Sequence, residues 1–432
     1  MCFDKRDNIL ITLDGKELLV SDGLFKVEEM LWLKEQSLPK CPLKIWDLSS
    51  TPITAVTVNH QIPIIYGQAP TKDGFFAVKG EKISLGLDIF GSAFFMLTRY
   101  EELVKQERDI HNRFPAKASL AFEEGFLDRP IINEYLEIFW WCLKYLWPSL
   151  ERKSRKFQVY LSHDVDQPYK YAFKSPLSLI RGLGGDLIKR KKPEMAIENL
   201  TRSISVKSGN IQSDPFNTFD KIMDFSERRG LISAFYFIPD NHLKINGGYQ
   251  LEHPYIRSLL KSICDRGHEI GYHGSYISYN NFIQHQAEFK RLKNLCDELG
   301  IYQDIWGGRQ HYLRWDPGQT WRDLEQIGLN YDTTLGFADY IGFRCGICYE
   351  FSTFDILSKQ KLKIKERPLI IMDGTFDEGY MGLSYQAALN EISKLRERCK
   401  MFDGQFSMLW HNHVFAEEEK SLLLRNSLAD AI

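Results

Sequence analysis

The sequence has 432 residues, of which 44% are hydrophobic and 26% charged, and its formal net charge at pH 7 is -2. This length exceeds one ordinary hydrophobic core and predicts about two domains, while the composition excludes a disordered chain. The near-neutral charge argues against a nucleic-acid partner, which would require a basic surface.

The eight cysteines are scattered along the chain, which is typical of reduced thiols in a cytoplasmic protein rather than of a disulfide framework. Cys345 and Cys348 form a lone CxxC without a second pair to complete a zinc site. The amino terminus, MCFDKRDNIL, has no apolar signal segment. The most apolar stretch, residues 131–147, is too short to cross a bilayer. We therefore expect a cytoplasmic protein without an integral membrane segment.

Residues 1–150 combine short apolar runs with two helical patterns. The runs ILITL, AVTVNH and IPIIYG have β character. Residues 85–106 and 128–147 carry apolar side chains at helical spacing, and Pro130 suits the first turn of the second helix. The charged stretch ERKSRK then predicts an exposed linker. We predict a small α+β domain over residues 1–150.

From residue 157 to residue 432, short apolar runs alternate with amphipathic helical stretches such as TWRDLEQIG, which ends in the glycine typical of a helix stop. This alternation predicts an α/β fold with a parallel sheet covered by helices. Seven strands would form a distorted (β/α) barrel resembling a TIM barrel. The seven predicted strands are FQVYLS (157–162), SAFYFIP (233–239), HEIGYH (268–273), DIWGGRQH (304–311), LNYDTTLG (329–336), PLIIMDG (368–374) and FSMLWHN (406–412).

Polar residues concentrate where these strands end. The first strand ends in His163, Asp164 and Asp166, and the sixth carries Asp373. Of the 11 histidines, those at or near strand ends are His163, His268, His273, His311, His411 and His413. Because α/β barrels carry their chemistry at the carboxyl ends of the strands, this pattern predicts a site there.

Three of these stretches, in this order, resemble the motifs of the polysaccharide deacetylase domain (NodB homology, carbohydrate esterase family 4). They are SHDVD (162–166), GHEIGYHGSY (267–276) and FSMLWHN, and the strand SAFYFIP resembles the family's second strand. The resemblance covers about residues 157–415. It implies a metal-dependent deacetylase acting on an N-acetylated carbohydrate. The segments FFMLTRYEE and GFLDRPIINEY resemble the region that precedes the barrel in one bacterial subgroup, which implies no activity.

The resemblance implies a role for each matching residue. Asp164 would be the catalytic base, Arg309 its partner and His411 the general acid. Asp166 and His273 would bind a divalent metal, with zinc favoured. Such an ion polarises an amide carbonyl and acidifies a water molecule.

The metal-binding motif departs from the family pattern, which has two histidines four residues apart. Ile277 stands where the second histidine is expected. In one interpretation His311 supplies the third ligand from the neighbouring strand, because zinc accepts one aspartate and two histidines plus water. In the other, the metal is weakly held or absent and the activity is lost or changed.

Three further residues are candidates for binding the carbohydrate. Arg344, in the glycine-flanked GFRCG, could bind an anionic sugar group or serve a structural role. Tyr312 and Trp410 could stack on sugar rings or pack in the core. The sequence thus leaves three functions open: a sugar N-deacetylase, a hydrolase of another non-peptide C–N bond on the same barrel, and a catalytically inactive glycan-binding protein.

Overall fold

The structure is a computed structural model that describes residues 8–72, 74–175, 178–179, 181, 193–240 and 243–429. Its amino-terminal part contains strands β1 (Asn8–Leu13), β2 (Lys16–Ser21), β3 (Lys44–Asp47), β4 (Gln61–Ile64), β5 (Phe76–Lys79) and β6 (Lys82–Leu85), and helices α1 (Ile89–Leu97), α2 (Tyr100–Val104), α3 (Leu120–Glu123) and α4 (Ile131–Leu146). Four strands form a sheet in the order β1-β2-β6-β5, and β3 pairs with β4. The predicted runs ILITL and IPIIYG overlap β1 and β4, whereas AVTVNH is not a strand.

The single helix predicted over residues 85–106 is wrong, because the chain breaks at Arg99. Arg99 has a φ of 55°, in the left-handed region that costs an L-residue about 1–2 kcal/mol. Its guanidinium is buried and pairs with Glu101 and Glu102 at 2.8 and 2.7 Å. These buried ion pairs hold Arg99 between α1 and α2. The second predicted helix is present as α4, which begins directly after Pro130.

The remaining elements belong to a second, larger sheet and its covering helices. The strands are β7 (Gln158–Val165), β8 (Ser233–Phe237), β9 (Glu269–Gly274), β10 (Gly307–Gln310), β11 (Tyr331–Asp332), β12 (Phe351–Asp355), β13 (Gln360–Glu366), β14 (Ile371–Met372) and β15 (Gln405–Leu409). The helices are α5 (Pro193–Lys207), α6 (Phe219–Glu227), α7 (Pro254–Asp265), α8 (Phe282–Glu298), α9 (Thr320–Ile327), α10 (Tyr385–Met401) and α11 (Glu418–Ser427). Gly328 ends α9 with a φ of 97°, as the sequence predicts.

The larger sheet has nine strands in the order β12-β13-β11-β10-β9-β8-β7-β15-β14. All seven predicted strands are present, and parallel pairing joins β14, β15, β7, β8, β9, β10 and β11 in that order, whereas β11 does not pair with β14. The predicted count of seven is corrected because the hairpin β12–β13 adds two strands beside β11. The hydrogen-bonded ladder stays open between β12 and β14. The segments that follow β11 and precede β14 approach each other across this gap, since Leu369 N donates to the Leu335 carbonyl at 3.2 Å.

The amino-terminal part shares a continuous hydrophobic core with the larger sheet. Helix α4 lies at this junction, where Ile132 N donates to the Gly346 carbonyl at 2.8 Å. Phe343 N likewise donates to the Leu127 carbonyl at 2.8 Å. Among the described residues, none of the helices combines the length and the apolar character needed to cross a membrane.

A cluster of buried charges also joins the two parts. Arg344 donates to both carboxylate oxygens of Glu102, from Nη2 at 2.6 Å and from Nε at 3.0 Å. Arg99 pairs with the same carboxylate and donates to the Arg344 carbonyl at 2.5 Å. All three residues are buried. Removing one member of such a cluster leaves its partner charge buried and uncompensated.

We expect Glu102→Ala to lower the free energy of unfolding by about 3–5 kcal/mol, because Arg344 and Arg99 would lose their shared carboxylate. Urea denaturation followed by circular dichroism measures this change. Glu17→Ala is the matched control, since it breaks an exposed pair with Lys82 and should cost less than about 1 kcal/mol. Equal, small effects of both substitutions would contradict a stabilising role for the buried cluster.

Candidate active site

Strand β7 brings two carboxylates to the carboxyl end of the larger sheet. It lies between β15 and β8, and the His163 ring stacks on Phe235 with centroids 4.9 Å apart. His163 Nδ1 also lies 2.6 Å from the Trp410 carbonyl oxygen, so this histidine is part of the packing. Because side chains alternate along a strand, Asp164 points to the opposite face, and Asp166 shares that direction.

Arg309, at the carboxyl end of β10, binds Asp164. Its Nη1 donates to Asp164 Oδ1 at 2.7 Å, and its Nη2 donates to Ser162 Oγ at 2.8 Å. Its Nε donates to the Thr333 carbonyl at 3.0 Å. The guanidinium is fully buried, so water does not screen the ion pair. The charge-assisted hydrogen bond fixes the orientation of the Asp164 carboxylate.

His273, on β9, presents one ring nitrogen to both carboxylates. Its Nδ1 lies 2.8 Å from the Arg309 carbonyl oxygen. A carbonyl only accepts hydrogen bonds, so Nδ1 carries the hydrogen and Nε2 faces the carboxylates. Nε2 lies 3.3 Å from Asp166 Oδ1 and 3.6 Å from Asp164 Oδ2. Burial lowers the pKa of His273, but the Asp164 and Asp166 charges outweigh it, and the net effect raises the pKa.

His311 approaches Asp166 from a 3₁₀ turn (His311–Leu313) that follows β10. Its Nε2 lies 3.5 Å from Asp166 Oδ2, and its Nδ1 lies 3.3 Å from Asn246 Oδ1. The same Asn246 oxygen accepts from Tyr276 N at 3.0 Å, which orients it. The neighbouring Gly247 packs so closely that an added Cβ would lie 1.6 Å from the Asp166 carbonyl oxygen. A glycine is therefore required for the Asn246 loop to reach the end of β7.

The side chains of Asp166, His273 and His311 fit a divalent cation. Each offers one ligand atom, and these atoms lie within 4.8 Å of one another. Asp166 Oδ1 and His273 Nε2 are buried without a hydrogen-bond partner, a costly state that a bound cation would relieve. Ligand atoms around a tetrahedral zinc at about 2.0–2.1 Å lie about 3.3 Å apart. The distance from His273 Nε2 to Asp166 Oδ1, 3.3 Å, equals this value, and His311 Nε2 lies 3.5 Å from the other oxygen, Oδ2.

Asp166 is ionised, as a metal ligand must be. Burial opposes its charge, but His311, His273 and His411 hold the pKa of the carboxyl well below its usual range. A carboxylate together with two neutral imidazoles forms a donor set that zinc accepts.

His411, just after β15, is held by Asp373, just after β14. The Asp373 carboxylate accepts from the His411 backbone N at 2.7 Å and from its Nδ1 at 2.8 Å. The opposite nitrogen, Nε2, lies 3.6 Å from Asp166 Oδ2. Burial opposes the charge of the imidazolium, but Asp373, Asp166 and Asp164 outweigh it and raise the pKa of His411 to about 10. His411 is therefore protonated at neutral pH and can donate a proton.

These groups meet at one cavity of about 270 Å³. Its polar and aromatic lining residues are Arg113, Asp164, Asp166, Gln167, His311, Tyr312, Tyr380, His411 and His413. A larger cavity of about 460 Å³ lies near the amino ends of the strands, beside Ile232 and Ile305, and does not include the catalytic candidates. The smaller cavity is the candidate active site because titratable groups converge there.

Of the three residues predicted to bind the carbohydrate, only Tyr312 lines the cavity. The predictions for Trp410 and Arg344 are corrected. Trp410 is fully buried in the core. Arg344 is buried with its guanidinium bound to Glu102, so it is not available to a sugar. Both His411 and His413 line the cavity, and Asp373 binds His411.

Three other residues noted in the sequence, His268, Cys345 and Cys348, do not line the candidate active site. His268 Nδ1 accepts from Ser233 N at 3.0 Å, so this histidine has a structural role. Cys345 and Cys348 are buried thiols. Within the described ranges, neither cysteine belongs to a group of three or more potential metal ligands.

Sequence reasoning missed three residues of this region. Arg113 and Tyr380 line the cavity, where Arg113 Nη2 donates to the Tyr380 hydroxyl at 3.1 Å. Asn246 orients His311. All three lie outside the regular strands and α-helices, in segments without apolar periodicity, so the sequence alone carried no signal for Arg113 or Tyr380. The Gly-Gly pair after Asn246 indicates a tight turn but not its location.

A protein-family profile described as a family of unknown function, DUF7033, matches residues 8–148. No curated protein sequence matches the chain.

Several solved structures are similar at low identity. A provisionally named polysaccharide deacetylase from Mycobacterium smegmatis is 16% identical, and the match covers 65% of this chain and 86% of that chain with a TM-score of 0.39. Puue allantoinase is 11% identical, with 64% and 84% covered and a TM-score of 0.38. A provisionally named polysaccharide deacetylase from Pseudomonas aeruginosa PAO1 is 12% identical, with 72% and 90% covered and a TM-score of 0.37. Likenesses this distant carry no functional argument.

In the metal-free protein, we expect Asp373→Asn to lower the pKa of His411. The substitution keeps the side-chain shape but removes a carboxylate in direct contact, and such a charge shifts a pKa by about 1–3 pH units. An NMR titration of labelled histidines measures the midpoint, with His411→Gln used to assign its signal. Asp377→Asn is the control, because that exposed carboxylate pairs with Lys420. An unchanged His411 midpoint in Asp373→Asn would show that another group holds the proton.

Proposed function

We propose that the protein is a metal-dependent hydrolase that removes the N-acetyl group of a sugar or polysaccharide precursor. The convergence of three chemical groups on one cavity is the observation that supports this most strongly. They are the buried Asp164–Arg309 pair, the ligand set of Asp166, His273 and His311, and His411 with its Asp373 partner. The motifs that carry these residues resemble those of polysaccharide deacetylases.

Asp166, His273 and His311 hold a divalent cation in this proposal, with zinc as the ion. When bound, the ion supplies a Lewis acid that polarises the amide carbonyl and acidifies a water molecule. His311 takes the place of the histidine that is missing at Ile277. The support for this choice is the 3.5 Å distance from His311 Nε2 to Asp166 Oδ2.

Asp164 is the general base. It accepts a proton from the attacking water, whose oxygen forms a bond to the acetyl carbon. Arg309 keeps the Asp164 carboxylate oriented through the 2.7 Å contact to Oδ1. The second oxygen, Oδ2, lies 3.6 Å from His273 Nε2, which places it beside the proposed cation ligands.

His411 is the general acid. As the bond between the acetyl carbon and nitrogen breaks, His411 donates its proton to the departing nitrogen, and the products are acetate and an amino sugar. Asp373 fixes the ring orientation through Nδ1, so Nε2 is the atom that donates. The Tyr312 ring, which lies at the cavity wall, is the proposed stacking partner for a sugar ring.

Zinc binding tests the ligand assignment. After dialysis against zinc and gel filtration, we expect elemental analysis to find about one zinc ion per wild-type chain. Because each ligand supplies one of the few bonds to the ion, His311→Ala and His273→Ala should each weaken zinc binding at least about tenfold. His413→Ala is the control, since this histidine lines the cavity but lies outside the ligand group. Parental zinc content in His311→Ala would refute its role as third ligand.

Acetate release tests the base assignment. On a panel of N-acetylhexosamines and their oligomers, we expect Asp164→Asn to lower the rate at least about 100-fold, because general base catalysis contributes at least this much. Zinc content should remain at the wild-type level. Asp377→Asn, at an exposed carboxylate paired with Lys420, serves as a control with wild-type rate. Acetate release by Asp164→Asn at the wild-type rate would rule out Asp164 as the base.

A further inference from the structure

Residues 109–113, which we call the strap, extend from the amino-terminal part to the mouth of the larger sheet. The Asp109 carboxylate stiffens the strap. It accepts from the backbone N of His111 and of Arg113, both at 2.9 Å, and from Arg113 Nε at 2.7 Å. Arg113 is buried and lines the candidate active site. The strap thus lies beside the proposed metal ligands although it is distant from them in sequence. Arg113, for example, is separated from Tyr312 by 199 positions.

The strap contacts the turn that carries His311, and the backbone of this turn is strained. Tyr312 and Leu313 have φ values of 63° and 55°. This left-handed region is sterically unfavourable for an L-residue at each position. Two successive residues of this kind persist only where the surrounding structure holds them. The chain directly after His311 therefore depends on outside contacts for its shape.

The strap supplies such contacts at two points of the turn. Arg113 Nη1 donates to the Tyr312 carbonyl at 3.1 Å, and the His111 ring lies 4.6 Å from the Tyr312 ring. Beyond Leu313, Arg314 Nε donates to the His111 carbonyl at 2.8 Å. The strap thus binds the chain on both sides of Leu313, at Tyr312 and at Arg314.

The strap also contacts the loop that follows β9, the strand of His273. Its Asn112 Nδ2 donates to the Tyr279 hydroxyl at 2.9 Å, and its His111 Nδ1 lies 3.1 Å from the Tyr276 hydroxyl. The loops after β9 and β10, which adjoin the two histidine ligands, are thereby tied to one segment.

We propose that the strap, chiefly through Arg113, positions His311 as the third metal ligand, so that the amino-terminal part is required for a complete metal centre. This inference rests on the proposed function, because it assumes that Asp166, His273 and His311 bind a cation. Arg113 is a positioning residue, since its guanidinium binds the backbone next to His311. A direct role in binding an anionic substrate is disfavoured, because Asp109 already neutralises the guanidinium.

The test is isothermal titration calorimetry of Zn²⁺ into metal-stripped, full-length protein. Arg113→Ala is expected to weaken zinc affinity about tenfold or more, the range seen when a group that orients a ligand is removed. Circular dichroism first establishes that the variant is folded at the titration temperature. His111→Ala provides a second variant that removes the ring on Tyr312 without leaving a buried charge unpaired. It should also weaken zinc affinity, by a smaller factor.

Two control variants separate positioning from other effects. Tyr380→Phe removes the hydroxyl that Arg113 Nη2 contacts but keeps the contact to the Tyr312 carbonyl, so its zinc affinity should equal that of the wild type. Arg152→Ala removes an arginine of the linker after the amino-terminal part, where it pairs with Glu137 of α4, and should also leave zinc affinity unchanged.

The outcomes distinguish this inference from the proposed function. Wild-type protein that binds no zinc would overturn both. Wild-type protein that binds zinc, with equal affinity in Arg113→Ala and His111→Ala, would overturn the positioning role of the strap and leave the metal centre intact.

Discussion

The buried guanidinium of Arg309 is the interaction on which the candidate active site depends. It binds Asp164 and Ser162 on β7 and Thr333 directly after β11, so a single side chain spans the mouth of the sheet. The Arg309 backbone carbonyl also accepts from His273 Nδ1, which turns the opposite ring nitrogen toward the carboxylates. A buried cation costs several kcal/mol to desolvate, and these contacts offset that cost. The same residue therefore orients the proposed base and sets the tautomer of a proposed metal ligand.

The amino-terminal part is built into this arrangement rather than appended to it. Its core is continuous with that of the larger sheet, and buried charges cross the junction at Glu102 and Arg344. Arg113 then reaches the cavity itself. Arg113, from the amino-terminal part, thus lies at the cavity wall, where the sequence had suggested Arg344 as the arginine of the site. A loss of packing at the junction would therefore disturb the site as well as the fold.

The sequence alone predicted much of the fold, because apolar runs and strand-end polar residues follow local rules. All seven predicted strands are present, and His311, which one of two interpretations of the sequence made a metal ligand, lies 3.5 Å from Asp166. The hairpin β12–β13 was missed because the strands were recognised as continuous apolar runs, whereas β13, QKLKIKE, alternates lysines with buried apolar residues. The break at Arg99 and the placement of Arg113 depend on partners distant in sequence, Arg344 and Tyr312. Long-range contacts of this kind leave no periodic signal in a single sequence.

The proposed metal centre rests on the claim that Asp166, His273 and His311 bind one cation jointly. An anomalous difference map, recorded at the zinc absorption edge from a zinc-soaked crystal of the full-length protein, is the decisive measurement. The expected result is one strong peak within about 2.0–2.2 Å of a carboxylate oxygen of Asp166 and of an Nε2 atom of each histidine. A map with no peak there, or with a peak that His311 does not contact, would contradict the claim.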